Sequence, residues 1–250
     1  MVKKTTGKSL VKWDEQLANL AKDATKGMDL PTAKFVSIKS GQLSFAGAKM
    51  PGNELRAVIL GWVYENQYYD EDYNPEVPQT PGCYAFGTDH DTMAPHANAE
   101  RPQAEACAGC PLNEFGSAEN GKGKACKNVV RLAMIAENDM EDLDAAELVY
   151  MKVPVMSVKN FTMYAKKTVA QALGRPYWAV VTQITVEPDS KSQFRVNFTV
   201  AEQIEDSDLF EPLKDLWEKT MEGIAFPYPK AEAREKPEPK TTKKSKFTRR

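Results

Sequence analysis

Histidine is nearly absent from this chain: His90 and His96 are the only two in 250 residues. No Ser/His/Asp set is visible, so a His-based nucleophile is confined to the surroundings of those two. Neither begins the His-x-Glu pattern of zinc deaminases, since His90 precedes Asp91-Thr92 and His96 precedes Ala97-Asn98. Nucleotide hydrolysis is excluded as well. Gly116 to Gly121-Lys122 has P-loop spacing, but Gly123 stands where Ser or Thr must hold magnesium, and Gly7-Lys8-Ser9 has Val2 where the upstream glycine belongs. No apolar run approaches the roughly 20 residues of a membrane span. Met1-Val2-Lys3-Lys4 leads into no apolar stretch, so no export signal is expected, and the expected setting is a reducing cytoplasm where disulfides are rare.

Cysteine is scarce too, and its placement is informative. Cys83, Cys107, Cys110 and Cys126 are the only four, gathered in one Gly- and Pro-rich stretch. Cys107-Ala-Gly-Cys110 is a C-x-x-C knuckle suited to gripping a tetrahedral metal ion, with Gly109 giving the tight turn and Pro111 following. A redox C-x-x-C pair needs a βαβ context, which is missing. The stretch lacks the hydrophobic periodicity that drives folding, and a structural zinc supplies folding energy where a core cannot. One structural Zn2+ held by the four cysteines is therefore expected, with either histidine as a substitute ligand or outer partner.

Net charge is -2, but the signs are segregated. Lys3, Lys4, Lys8 and Lys12 make a basic arm without acids, and the tail from Lys240 is again purely basic. Basic arms on a near-neutral body point to a polyanionic partner. Around Cys126, Lys122, Lys124, Lys127 and Arg131 alternate with glycines and form the best candidate phosphate track. Arg56 and Arg195 add charge on expected strands. Trp62, Tyr64, Tyr68 and Tyr69 crowd into eight residues. Such rings can stack bases at ~1–3 kcal/mol each without choosing among them. Trp62 and Tyr64 can equally be core, because Arg56, Val58, Leu60, Trp62 and Tyr64 share one strand parity. The acidic run Glu137 to Asp144 could hold metals in a nuclease, but reads more simply as a polar connector, and no enzymatic activity is expected.

The chain divides into a basic disordered arm (1–12), a folded body (13–226) and a Pro-rich basic tail (227–250). Residues 13–26 carry a helical pattern. Lys34 to Phe45, bent at Gly41, is expected to form a hairpin with Leu55 to Tyr64. An insertion spans about 66–126. Asn128 to Ala136 and Ala146 to Val153 read as strands, and Ser157 to Leu173 as a helix with Ser157 as N-cap and Gly174 as stop. Tyr177 to Val186 and Gln193 to Val200 are strands around the turn Glu187 to Ser190, followed by a helix over about Ser207 to Glu222. This order predicts a mostly β, α+β class: an OB-fold-like five-stranded Greek-key barrel with an inserted four-cysteine zinc module.

A barrel of short strands, interrupted by a zinc module and carrying basic N-terminal residues, resembles the zinc-containing single-stranded DNA-binding (helix-destabilising) proteins of tailed bacteriophages. The resemblance is one of architecture over about 30–200. The segment from Cys107 to Ala118 with Gly121 to Cys126 also looks like a motif of phage replication-region proteins. The resemblance implies coating of single-stranded DNA during replication and recombination, and a structural zinc. It also implies self-association on DNA through basic N-terminal residues, here Lys3, Lys4, Thr5 and Thr6, and contacts with replication or recombination proteins. The family's one-histidine, three-cysteine ligand set becomes four cysteines here, and its acidic tail becomes a basic one. The alternative from a different class is a zinc-stabilised adaptor or transcription cofactor that binds protein, docking on Glu202 to Glu211.

Overall fold

The computed structural model describes residues 34–70 and 79–229. The segment expected to be helical over 13–26, the arm with Lys3, Lys4, Thr5 and Thr6, and the tail from 230 lie outside the described residues.

The described residues form a mixed α+β unit around one curled sheet. Its strands are β1 (Lys34–Lys39), β2 (Gln42–Phe45), β3 (Ala48–Lys49), β4 (Glu54–Tyr68), β5 (Cys83–Gly87), β6 (Lys127–Ala136), β7 (Val149–Val153), β8 (Val180–Asp189) and β9 (Gln193–Gln203). They lie in the order β3-β2-β1-β7-β6-β4-β8-β9, with β5 paired to β4. Long β4 is the spine: its first residues pair with β8, most of its length with β6 and its last residues with β5, all antiparallel.

Curling brings the two ends of the sheet together. A Cβ on Gly41, in the β1–β2 turn, would lie 3.4 Å from Cβ of Phe194 on β9. Asn53 fastens this closure. Its amide donates to the carbonyls of Gly41 and Val186, both at 2.8 Å, while its Oδ1 accepts from the Leu43 N–H at 2.7 Å. The inner face is an apolar core of Ile59, Leu132, Met134, Met151, Val180, Val196 and Phe198. The helix α1 (Val158–Met163), which runs on with π-helical winding over Tyr164–Ala172, adds Phe161, Tyr164 and Val169. The outer face is covered by α2 (Phe210–Gly223), whose Leu213 packs on Val58, Leu60, Ile135 and Val181. No helix among the described residues is long and apolar enough to cross a membrane.

Three local expectations are corrected. Ser40 (φ 50°) and Gly41 (φ 75°) are both left-handed, the backbone of a two-residue hairpin turn. The first hairpin is therefore β1–β2, and β4 is free to pair elsewhere. The shared parity from Arg56 to Tyr64 breaks at a bulge between Ile59 and Gly61. Val58 and Leu60 face α2, whereas Trp62 and Tyr64 lie against the inner core. Ser157 does not cap α1; its buried Oγ accepts the Val196 N–H at 2.9 Å. The stop at Gly174 (φ 65°), the alternation along β9 and the helix near the end of the body stand as expected.

Candidate metal centre and nucleic-acid interface

Among the described residues between β4 and β6 there is little regular structure beyond β5 and two short 3-10 turns. The four cysteines nevertheless converge. All are free thiols, and all line one cavity with Asn66, Tyr84 and Leu112. Its room is about 20 Å³, enough for a single water or ion and no organic group. Backbone bonds set the approach: Cys107 N–H donates to Met93 O, Cys110 N–H to Cys107 O, and Cys126 N–H to Leu112 O. Gly109, at φ 75°, makes the knuckle turn. Amide groups near the sulfurs offset part of the burial: the Asn66 side chain at Cys107, the Gln103 backbone at Cys83 and the Gln67 backbone at Cys126.

Burial first, and then repulsion among the thiolates, pushes the Cys126 thiol up to about 12. Burial likewise raises Cys83 and Cys107. Among the described residues, no group of three or more His, Cys, Asp or Glu is arranged to hold a metal ion. The sulfurs are thus gathered around one space without being drawn onto one point. The donor chemistry fits a thiophilic divalent cation, whose charge relieves the thiolate repulsion, and the amide groups near the sulfurs are the outer partners such a site needs. Neither histidine lines the cavity. His90 stacks on Tyr64 with ring centroids 3.8 Å apart, and His96 stacks on Tyr84 at 5.2 Å.

Beside this cavity is an open groove of about 440 Å³, lined by Tyr68, Tyr69, Lys127, Asp70 and the 112–125 loop. It brings together three residues singled out from sequence: Tyr68, Tyr69 and Lys127. Tyr69 Oη donates to Gln67 at 2.7 Å, and burial, with the nearby Glu65 carboxylate, pushes its hydroxyl up to about 12. Lys122 is exposed, whereas Lys124 is half-buried and donates to Asn113 Oδ1 at 3.3 Å. Asp70 pairs with Arg101 at 3.0 Å.

The remaining sequence candidates lie elsewhere. Trp62 and Tyr64 are half-buried at the core margin, edge-to-face at 5.2 Å. Arg56 and Arg195 stand toward the other end of β4. Arg56 is bound to Glu137 at 2.6 Å and Glu202 at 3.6 Å, and Arg195 to Asp189 at 3.0 Å. Arg131 is removed from the phosphate track. It is 1% exposed, bonds Glu65 at 2.8 Å, and donates to the carbonyls of Ile224 and Phe226. Its guanidinium lies 4.4 Å from the Phe86 ring centroid and 4.2 Å from that of Phe226. Lys152, at 3.2 Å, and Tyr228 complete the shell around Glu65. Alternation explains the miss: Arg131 lies on the outer face of β6, which the segment after α2 covers. Ile224, Phe226 and Tyr228, which follow α2, all contact this buried pair.

Sequence reasoning also missed Phe115. It is 81% exposed, with Lys124 Nζ 5.2 Å from its ring centroid. A lone aromatic in a polar loop gives no periodic signal.

Fold and site together define a class: a curled-sheet α+β protein with a cysteine-lined loop module inserted between its spine strand and the next long strand. No family model matches the chain, and neither a curated protein nor a solved structure does.

Proposed function

We propose that the protein binds single-stranded DNA without sequence preference, as a coating protein of replication or recombination, on a scaffold stabilised by one structural zinc ion. The observation that carries this reading is strand connectivity. Setting aside β5, which pairs with β4 within the module, the chain order is β4, β6, β7, α1, β8 and β9, and β4 pairs with both β6 and β8. That connectivity supports an OB-like Greek-key reading of these five strands, in which the cysteine module would occupy the loop between the first two. Loops in this position belong to the ligand-binding side of such barrels. Here the loop adjoins a groove that offers two tyrosines and a lysine. Cys83, Cys107, Cys110 and Cys126 would hold the zinc, and four thiolates close a structural site. The zinc fixes the shape of the loop.

The test is a titration of the full zinc-loaded chain with fluorescein-labelled oligo-dT at low and moderate salt, with matched duplex as competitor. Preferential binding of the single strand, weakened steeply by salt, is the expected result. Binding no tighter than that of duplex, by folded metal-loaded protein, would overturn the reading in favour of a protein-docking adaptor. Metal analysis of the same sample should give one zinc per chain.

A further inference from the structure

We infer that Phe115 is a base-stacking contact: one face of its ring is held by Lys124 and the other is presented to a nucleobase of single-stranded DNA. This inference rests on the single-strand reading above and assigns its contact point.

Burying a phenylalanine side chain stabilises a protein by about 1.5–3 kcal/mol, yet Phe115 is 81% exposed. It is also held in place. Gly116 N–H and Ala118 N–H both donate to Gly123 O. Ser117 Oγ lies 3.0 Å from the Leu112 carbonyl and 2.6 Å from that of Glu114, sharing its one hydrogen between them, and accepts from Ala125 N–H at 2.9 Å. Gly116 takes φ 94°, a conformation few other residues adopt. The loop is therefore tied across its base while the ring stands outside it. Such pre-organisation lowers the entropy cost of binding.

The surroundings select the ligand. Lys124 is 5.2 Å from the ring centroid, so one face is already used by a cation. Lys122 and Lys127 are exposed on the same loop and its exit. From 112 to 127 there are three lysines against two glutamates, Glu114 and Glu119. That excess is small, so a ligand attracted by charge alone gains little, whereas a flat π-system flanked by phosphates uses both the ring and the lysines. Leu112, Ser117 and Lys127 also line the tyrosine groove, which puts the ring on the same loop as that groove. Bases stacked within a duplex cannot reach such a ring.

Phe115→Ala, Phe115→Trp and Lys122→Ala are to be compared with the parent chain by oligo-dT titration across salt. Photocrosslinking to a bromouracil-substituted strand, read by peptide mass spectrometry, accompanies it. Phe115→Ala should weaken binding roughly 5- to 150-fold, the equivalent of losing one stacked base, with the salt slope unchanged. Phe115→Trp should stay within about three-fold of the parent. Lys122→Ala should instead reduce the slope by about 0.7. The crosslink should fall on the peptide carrying Phe115. Tight single-strand binding by the parent with Phe115→Ala unchanged, or a crosslink confined to other peptides, would overturn this inference and leave the single-strand reading standing. Failure of the parent chain to prefer the single strand would overturn both.

Discussion

Ile59, Leu132, Met134 and Val180 in the curled sheet are wholly buried, whereas between residues 88 and 126 only Met93, Cys107 and Cys110 are buried. The sheet is held by apolar area on both faces, each buried methylene contributing about 0.8 kcal/mol. The module has only the small cluster of Ala85, Met93 and Cys107, and turn hydrogen bonds supply much of its order. Cations show the same divide. Arg131 in the sheet is enclosed by Phe86, Phe226 and Glu65, while Lys122 and Lys127 in the module face solvent. The sheet buries its arginine within its own architecture, whereas the module keeps its cations at the surface, some of them tied locally, as Arg101 is to Asp70 and Lys124 to Asn113.

On the proposed zinc reading, chelation should break this comparison most sharply. Structural zinc sites of small modules carry an apparent ~10–16 kcal/mol of folding free energy. Chelation, or Cys107→Ser, is expected to abolish amide-exchange protection over 88–126 while β6 and β8 remain protected. The same treatment should release one equivalent of zinc. Unchanged exchange in the module after chelation would mean that the turn network alone holds it.

The next largest effect belongs to the sheet. Arg131→Met leaves the Glu65 carboxylate buried beside a single partly exposed lysine, so a loss of about 3–5 kcal/mol in urea unfolding is expected. Replacing both partners, Glu65→Leu with Arg131→Met, should cost less than the single change. Burial alone would raise Glu65, but the Lys152 ammonium, the Arg131 guanidinium and the bonds from Arg131 and Tyr228 outweigh it and hold the carboxyl below its ordinary value. Its contribution is then present above the ordinary carboxylate range and is lost as pH falls through the depressed folded-state value. Glu65→Gln should flatten this acid limb of stability. An unaltered acid limb would show that other carboxylates set it.

The sheet was largely legible in the sequence and the module only in part, for physical reasons. Period-two alternation marked β9 through Phe194, Val196 and Phe198, and Gly174 marked the end of the π-helical segment that follows α1. The convergence of the cysteines followed from their isolation in one segment. Pairing partners were not legible. Ser40-Gly41 has the left-handed pair of a hairpin turn, but serine rarely signals that conformation, so the first hairpin was assigned one strand too far along. Arg131 read as surface charge because its neutralising partners, Glu65 and the carbonyls of Ile224 and Phe226, are distant in the chain. Phe115 could have been found only by asking why a phenylalanine sits between Glu114 and Gly116.

Gly61 lies where local pattern and tertiary packing disagree, and it sharpens the account of the sheet. A Cβ there would meet Thr220, Met221 and Ile224 at 3.1 to 3.2 Å. The bulge that resets the parity of β4 is thus also a place where α2 and the residue after it pack closely against the strand. Gly61→Val should cost about 1–3 kcal/mol through overpacking, measurable as a lower urea midpoint, with zinc content unchanged because the module is not touched. A variant as stable as the parent would show that α2 can move away freely.

The smallest effect is expected at Arg56, and it tests the division of charge directly. Its guanidinium is bound to Glu137 and Glu202 at an exposed site, where such pairs contribute about 0–1 kcal/mol. Arg56→Ala should therefore barely move the urea midpoint. It should also leave the salt slope of oligo-dT binding unchanged, since a cation already neutralised by two carboxylates releases no counterion on meeting phosphate. A slope reduced as much as by Lys122→Ala would place the bound strand along the whole length of β4, and the contrast between a self-neutralised sheet and an open module would have to be given up.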